Sequence, residues 1–330
     1  MLIPPKYRLT AKISEHLANI EACRQVIDAI DIPPEIELNI RRKSTLKSSL
    51  YSANIEGNPL IYDELAILSP KDKKKFEVYN LLKAINIIHE KDPTKISKSL
   101  VLKLHGIAMK GLLPEIYLGK IRTNMEAIFN SAGGVVYMPP PPSHVESLLE
   151  QLADYSNGTT ERFAPIKAVV AHYIFEKIHP FLDGSGRVGR LLIRQLLKND
   201  GYDMKGILPL EEYLENHRTT YYQMLEEPES NVTDYVEFML EAVAVSAEKA
   251  KGLVLNQRKV EPEDLLLPRR AEIVRIIKEH GLVNFDSIRR RFLAVNERTL
   301  RYDLKKLKDT GLIYKIGTTK GVFYKPAKSD

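Results

Sequence analysis

Apolar residues recur every three or four positions through most of the chain, which is the spacing of amphipathic α-helices. This spacing predicts helices over residues 11–31, 35–55, 62–90, 97–113, 165–177, 187–199, 211–226 and 232–255. Ser97 is a predicted N-cap, and Ser143 with Glu146 forms a capping-box pattern at the start of a further helix. The pattern therefore indicates a mainly α-helical protein.

Two stretches depart from the helical spacing. In residues 119–142, two short β-prone pieces flank Gly133-Gly134 and predict a β-hairpin, and four prolines follow it. Beyond the charged, proline-containing segment "NQRKVEPEDLLLP", three short helical patterns precede two β-prone strands. These breaks predict N-terminal helices over 1–60, a helical domain over 61–255, a linker over 256–264 and a C-terminal domain over 265–330.

Composition places the chain among ordinary globular proteins of reducing compartments. Its 330 residues include one cysteine, Cys23, so no internal disulfide is possible, and a cytoplasmic location is expected. No apolar run approaches the roughly 18 residues of a membrane span, and no signal peptide is expected. The net charge is +6, but residues 265–330 hold sixteen Lys/Arg and seven Asp/Glu, a local charge of +9. This asymmetry favours an anionic partner for the C-terminal domain.

The segment "IHPFLDGSGRVGR" combines groups suited to a phosphate compound. The turn 184–186 precedes a helix, whose first N–H groups bind anions, and Arg187 and Arg190 add two guanidinium groups. Asp183 suits Mg²⁺, which takes one or two carboxylates together with phosphate oxygens and water. His179 has the side chain whose ordinary pKa suits a general base near neutrality. The alternative is a polar glycine-rich turn without a ligand.

"HPFLDGSGRVGR" resembles the signature of Fic-domain proteins, His-Pro-Phe-x-Asp/Glu-Gly-Asn-Gly-Arg-x-x-Arg. The segments "AVVAHYIFEKIHPF", "GVVYMPPPPSHVESLL" and "ENHRTTYYQML" extend the resemblance over roughly residues 40–225. The resemblance implies a helical Fic domain with a β-hairpin flap. It also implies transfer of AMP from ATP, with Mg²⁺, to a Tyr, Ser or Thr hydroxyl of a target protein or of the protein itself.

The resemblance also implies a role for each matching residue. His179 would deprotonate the target hydroxyl, Asp183 would bind Mg²⁺, and Phe181 would anchor the loop. The nucleotide-binding positions would be Gly184, Ser185, Gly186, Arg187, Arg190, Tyr221 and Tyr222. Ser185 departs from the signature, which has Asn there. The loss of one such donor can cost about 10²–10³ in rate, and it leaves open a different phosphate transfer with the nucleotide bound in the inverted direction.

"SANIEGN", residues 52–58, resembles the inhibitory signature Ser/Thr-x-x-x-Glu-Gly/Asn of the N-terminally inhibited Fic class. Ser52 and Glu56 would be the inhibitory residues. A carboxylate paired with Arg190 would occupy the arginine that holds the γ-phosphate and repel a triphosphate. The alternative is a helix end with a solvated acid.

The hairpin is expected to act as a target-docking flap. It would bind a strand of the target by β-augmentation and hold its hydroxyl near His179. The flap residues are Ile128, Val136, Tyr137 and Met138.

The C-terminal pattern is typical of a winged helix-turn-helix domain. Leu300, Leu304 and Leu307 would face its core. The predicted DNA-contacting residues are Arg298, Arg301, Lys305 and Lys308. The same basic surface also suits a dimerisation module, so a homodimer stays open. The alternative function is therefore a DNA-binding regulator whose Fic pocket senses nucleotide with little or no turnover.

Overall fold

The computed structural model describes residues 1–67, 72–90, 92–129, 134–256, 266–318 and 321–327. It is mainly α-helical, as predicted. The helices before the flap are α1 (Ala11–Ala29), α2 (Pro34–Ile55), α3 (Glu64–Ile67), α4 (Lys73–Glu90) and α5 (Lys98–Ala108). Those after it are α6 (Pro142–Asn157), α7 (Ala164–Ile178), α8 (Ser185–Asn199), α9 (Leu210–Asn216), α10 (Arg218–Leu225) and α11 (Thr233–Leu255).

The observed helix ends confirm one predicted cap and differ from the prediction at two other places. The Ser97 hydroxyl accepts a hydrogen bond from the Leu100 N–H, so the predicted N-cap of α5 is confirmed. The predicted N-cap at Ser143 is wrong, because α6 already begins at Pro142, where proline suits the first helical turn. The pattern predicted over 211–226 is divided at His217, whose backbone (φ −118°, ψ 31°) leaves the helical region.

Helix α7 is the central element of the larger core. Apart from Ala164 and Lys167, its residues are buried, because it packs on α6, α8 and α11. This explains why "AVVAHYIF" is apolar on every face rather than amphipathic. The site described below lies at the C-terminal end of this helix.

The predicted hairpin is present as strands β1 (Ile128–Phe129) and β2 (Val135–Tyr137). The strands are antiparallel, with Ile128 opposite Tyr137 and Phe129 opposite Val135. The predicted turn at Gly133-Gly134 lies partly outside the described residues.

The C-terminal residues form three helices and a three-stranded sheet. These elements are α12 (Pro268–His280), β3 (Val283–Asn284), α13 (Phe285–Arg291), α14 (Glu297–Asp309), β4 (Ile313–Ile316) and β5 (Phe323–Pro326). The sheet order is β3-β5-β4, and each pair is antiparallel. Leu300, Leu304 and Leu307 are buried in a hydrophobic cluster separate from the larger core, as predicted. The sequence analysis missed the short strand β3.

Asp303 is a buried acid on the α14 face opposite to solvent. It accepts hydrogen bonds from Arg269 (2.5 Å) and Arg270 (2.9 Å) at the start of α12. The two guanidinium groups balance its charge and fix α14 against α12. Among the described residues, no helix has both the length and the apolar character needed to cross a membrane.

Candidate active site

The loop between α7 and α8 owes its shape to two residues with positive φ. His179 ends α7 in the left-handed conformation (φ 44°), and its N–H still donates to the Phe175 carbonyl at 3.0 Å. Gly184 (φ 90°) precedes the first residue of α8, where glycine adopts this conformation without strain. A Cβ at Gly184 would also lie 2.6 Å from the Met109 sulfur. The loop therefore leaves one helix and enters the next within six residues, 179–184.

Phe181 and His105 pack together and hold the loop on the protein core. The Phe181 ring is fully buried and stacks on the His105 ring with centroids 3.9 Å apart. The Gly119 N–H donates to His105 Nδ1 (2.9 Å), which leaves Nε2 to donate to the Asp183 carbonyl (3.0 Å). Burial lowers the pKa of His105, which agrees with this neutral tautomer.

Arg122 fixes the loop and the flap exit together. Its buried guanidinium donates to the carbonyls of His179 (2.8 Å), Asn124 (2.9 Å) and Pro140, and the Arg122 N–H donates to the Pro180 carbonyl (2.9 Å). One cation thus satisfies backbone acceptors from three segments. The sequence does not signal this role, because the partners are backbone carbonyls, most of them distant in the chain.

Arg122→Gln is expected to lower the free energy of unfolding by about 2–4 kcal/mol, because a buried charged donor to several carbonyls is lost. Urea unfolding of the full chain measures this, with Arg162→Gln, at an exposed arginine, as the matched control. Equal stability of the two variants would contradict the role of Arg122.

Arg190 on α8 binds the end of α2. Its Nε donates to the Ser52 hydroxyl (2.9 Å), and its Nη2 donates to the Ser52 carbonyl (3.0 Å) and to Glu56 Oε1 (2.7 Å). A Cβ at Gly186 would lie 2.7 Å from the same Glu56 oxygen, so this carboxylate stands at the N-terminus of α8. The position where a helix attracts anions therefore already holds one.

Glu56 and Arg190 each stabilise the ionised form of the other. Burial would raise the pKa of Glu56, but the fields of Arg190 and Arg187 outweigh burial, and the pKa of Glu56 is lowered. Burial also opposes the charge of Arg190, yet Glu56 raises the pKa of Arg190 above its ordinary value. Both groups are therefore ionised at neutral pH, with the Glu56 side chain 24% exposed and that of Arg190 1% exposed.

Arg194, one turn further along α8, makes a second polar contact with α2. Its Nη2 donates to the Ser48 hydroxyl (3.0 Å), the Leu208 carbonyl (3.1 Å) and Glu211 (2.8 Å). Ser48 and Ser52 lie four residues apart on α2, as Arg190 and Arg194 do on α8. The two helices therefore meet along a row of serines and arginines.

Arg187 points away from the Arg190 pair. Its Nη2 donates to Asp183 Oδ1 and its Nη1 to Glu77 Oε1 on α4, both at 2.5 Å. Asn58 Nδ2 donates to the other Glu77 oxygen at 2.8 Å. Asn58, Glu77, Arg187 and Asp183 thus form a chain of hydrogen bonds from the residues that follow α2 to the predicted metal ligand. The sequence analysis missed Glu77.

His179 borders a cavity of about 880 Å³, within the range of small-molecule sites. Burial, and then Arg122, lower the pKa of His179 below its ordinary 6.5, while Glu56 acts in the opposite direction. The imidazole is therefore neutral at pH 7, and the partly exposed residue borders the cavity.

The predicted residues that line this cavity come from the end of α2, the strands β1 and β2, the loop, α8 and α10. They are Glu56, Ile128, Val136, Tyr137, His179, Gly186, Arg190, Tyr221 and Tyr222. The cavity thus brings together the inhibitory motif, the flap, the loop and the two tyrosines.

A profile of the Fic/DOC family matches residues 95–197, which contain α5, the flap, α7, the loop and most of α8. The chain contains a Fic domain. A protein adenylyltransferase Fic from Drosophila willistoni is 27% identical over 252 residues, which cover 72% of this chain and 47% of the relative. A probable protein adenylyltransferase from Aquifex aeolicus is 26% identical over 247 residues, covering 74% and 69%. The chain therefore spans about half the length of the fly relative.

Solved structures agree on the fold. A Fic family protein from Desulfovibrio desulfuricans has a TM-score of 0.67 at 24% identity and covers 99% of both chains. A C. elegans Fic-1 fragment has a TM-score of 0.61 at 21% identity, covering 73% of this chain and 72% of that one. These likenesses concern the helical Fic fold and the arrangement of its elements.

Five predicted residues of the Fic domain stand apart from the cavity. The Ser185 hydroxyl, expected to face the nucleotide, instead accepts from the Phe181 N–H at 3.2 Å and is 1% exposed, because it closes the loop on itself. Gly184 contacts Met109, and Asp183 and Arg187 pair with each other outside the lining. Met138 of the flap is exposed on another surface.

The two predicted nucleotide-binding tyrosines differ in surroundings. Tyr221 is fully buried, and its hydroxyl lies 2.8 Å from His172 Nε2. Tyr222 is 43% exposed and donates to the Ile55 carbonyl at 3.2 Å. Tyr222 is therefore the more accessible of the two, and its ring packs beside that of Tyr221, with centroids 5.4 Å apart.

Proposed function

We propose that the protein transfers AMP from ATP to a Tyr, Ser or Thr hydroxyl of a target protein or of itself. The observation that carries the proposal is the meeting of His179, Gly186 and Arg190 around one cavity. A proton acceptor, a helix N-terminus and a cation are the groups that phosphoryl-group chemistry requires. The names of the fly and Aquifex relatives support the same reaction class.

In this reaction the target hydroxyl oxygen attacks the α-phosphorus of ATP. The bond from that phosphorus to the bridging oxygen of the β-phosphate breaks, pyrophosphate leaves, and the hydroxyl proton passes to His179. Arg190 and the α8 N-terminus would hold phosphate oxygens, and Tyr222 would contact the base or ribose. Ser185 would act through the shape of the loop rather than by touching the nucleotide.

Asp183 would hold Mg²⁺. Its side chain is 51% exposed beside the loop, which suits a metal that keeps water and binds phosphate oxygens. The described residues contain no cluster of three or more His, Cys, Asp and Glu side chains that could enclose a metal. A single carboxylate thus fits Mg²⁺ held jointly with the nucleotide. When bound, Mg²⁺ would offset the negative charge of the phosphates.

Glu56 would inhibit the reaction. Its carboxylate lies on Arg190 and at the α8 N-terminus, so a γ-phosphate and Glu56 would compete for the same groups. Ser52 would assist by binding the same guanidinium. Activation then requires the end of α2 to move away from α8.

The flap would present the target. β1 and β2 pair only with each other among the described strands, so each retains an outer edge for strand addition. The Tyr137 hydroxyl donates to the Lys177 carbonyl (3.0 Å), and the Lys177 ammonium lies over the Tyr137 ring (4.3 Å). These contacts fix the flap two residues before His179.

The rate of auto-modification at saturating ATP is expected to remain more than half-maximal down to a pH below 6.5. His179 works as a base only while neutral, and it becomes protonated as pH falls through its lowered pKa. Initial rates of auto-modification by the Glu56→Gly protein should be flat from pH 8 to 6.5 and half-maximal below 6.5. A half-maximal rate above pH 7 would contradict a neutral buried imidazole.

Mass spectrometry of the transferred group tests the reaction itself. The full-length Glu56→Gly protein, incubated with ATP and MgCl₂, is expected to gain AMP on a hydroxyl side chain. A phosphate adduct would indicate the inverted nucleotide orientation that Ser185 leaves open. No adduct on folded protein, alone or with lysate proteins, would overturn the enzyme assignment.

The C-terminal residues support DNA binding as a second function. Arg298, Arg301, Lys305 and Lys308 are all exposed on α14, as predicted, while Asp303 is turned inward. An outward basic helix suits phosphate and base-edge contacts in the major groove. A salt-dependent mobility shift that needs residues 265–330 is expected, and no shift at low salt would count against it.

A further inference from the structure

Glu176 is an acid in the cavity wall that the proposed reaction does not use. It lies on α7, one helical turn before His179, in a stretch of buried residues. The residue is 9% exposed and lines the cavity. Its Oε1 is buried and has no hydrogen-bond partner among the described residues. Oε1 lies against Gly189 of α8, and the residue shares the cavity lining with His179 and Arg190, so a ligand that fills the cavity would lie beside this acid.

Its surroundings hold the carboxyl in place without neutralising it. A Cβ at Gly189 would lie 1.9 Å from Oε1, so only glycine at this position of α8 leaves room for the acid. His172 Nδ1 is 3.8 Å from Oε1, beyond hydrogen-bond distance. Burial lowers the pKa of His172 to about 3, so this imidazole provides no positive charge.

Charged groups around the acid act in both directions. Burial, the largest cause, and Glu56 raise the pKa of Glu176 to about 8, while Arg190 opposes them. The titratable and charged groups that face it or share its cavity are His172, Lys177 and His179 of α7, Arg190 of α8, Glu56 of α2, Tyr137 of β2, Arg218, Tyr221 and Tyr222 of α10, Glu226 at the end of α10, and Tyr235 of α11. Glu176 is therefore mostly protonated at neutral pH.

We propose that Glu176 binds the nucleotide as a neutral acid, donating its proton to an oxygen of the phosphate chain held by Arg190. The proposal rests on the proposed function, because it concerns the same nucleotide. Glu176 lines the same cavity as Arg190 and Glu56, the two groups at the proposed phosphate end. A protonated carboxyl can donate to a phosphate oxygen, whereas a carboxylate can only accept.

Ionised Glu176 would repel the phosphates instead. With Glu56 present, two carboxylates would face a single guanidinium. Since binding requires the protonated form, nucleotide affinity is highest below a pH of about 8 and falls as pH rises through the pKa of Glu176. The bound phosphates would in turn raise that pKa further.

The test measures binding rather than turnover. The Glu56→Gly protein, in which the pKa of Glu176 loses the contribution of Glu56, is titrated calorimetrically with α,β-methylene-ATP and MgCl₂ at pH 6.5, 7.5, 8.5 and 9.5. The Kd is expected to rise at least about tenfold over this range, because one proton must be retained for binding. Glu176→Gln, a permanently neutral donor, should keep its Kd within about threefold across the same range. Glu176→Ala should bind about tenfold more weakly at pH 7.5.

Each outcome decides a different point. A flat pH profile in the parent, a slope that persists in Glu176→Gln, or equal weakening by Gln and Ala would overturn the role of Glu176. The persisting slope would assign the titration to Lys177, which shares the cavity. If the parent protein fails to bind the analogue, the proposed nucleotide site itself fails. Glu150→Gln, at an exposed acid of α6, is the matched control. The pH profile of the parent protein tests the proposal even if the variants at position 176 fail to fold.

Discussion

His179→Ala, introduced into the Glu56→Gly protein, is expected to reduce auto-modification with labelled ATP by about 10³-fold or more. General bases contribute typically 10²–10⁴-fold, and His179 is the histidine that lines the cavity. Its neutral imidazole would accept the proton of the attacking hydroxyl, and alanine has no replacement for it. Incorporation of label under initial-rate conditions, with MgCl₂ present, measures the loss.

Two controls make this result specific. His280→Ala, at an exposed histidine of α12, should leave the rate of the Glu56→Gly protein unchanged. The His179→Ala protein should unfold at the same temperature as its parent, to within a few degrees, and still bind α,β-methylene-ATP. Persistent incorporation in folded His179→Ala protein would remove this residue from the mechanism.

Glu56→Gly is itself expected to raise auto-modification at least tenfold over the unsubstituted protein. The change removes the carboxylate 2.7 Å from Arg190 and frees both the guanidinium and the α8 N-terminus for phosphate. A tenfold change corresponds to about 1.4 kcal/mol, a modest value for releasing one charge-assisted hydrogen bond to a buried arginine. Labelled ATP incorporation by the two proteins, compared at one ATP concentration, provides the measurement.

A graded variant separates inhibition from a general loosening of α2. Ser52→Ala removes only the hydroxyl that accepts from Arg190 Nε, so its activation should be smaller than that of Glu56→Gly. Glu15→Gly, at an exposed acid of α1, should not activate. Equal rates for Glu56→Gly and the unsubstituted protein, both folded, would refute inhibition by this carboxylate.

The sequence predicted those parts of the site that a local pattern determines. The glycine turn, the helix after it and the proline-bounded end of α2 each follow from neighbouring residues. The pairing of Glu56 with Arg190 was also predicted, because one motif supplied an acid and the other a cation. The hairpin register and the short strand β3 depend on contacts across the fold, which spacing does not reveal.

The supporting residues could not be predicted in this way. Arg122 and His105 bind backbone atoms of the loop, so no particular partner residue signals their role. Glu77 lies on an amphipathic helix among many other charged residues. Ser185 was expected to replace the signature Asn toward the nucleotide, but its shorter side chain reaches only the backbone of its own turn. Glu176 left a visible signal, because it forms with Lys177 a charged pair between the apolar segments "YIF" and "IHPF".

Detachment of α2 from the serine–arginine row would affect the two arginines of α8 differently. If α2 withdraws, Arg194 keeps Glu211 and the Leu208 carbonyl as partners, so that side chain stays in place. Arg190 loses both the Ser52 and the Glu56 contacts recorded here. Departure of α2 therefore leaves the Arg190 guanidinium without these acceptors, at the spot where an incoming triphosphate would end.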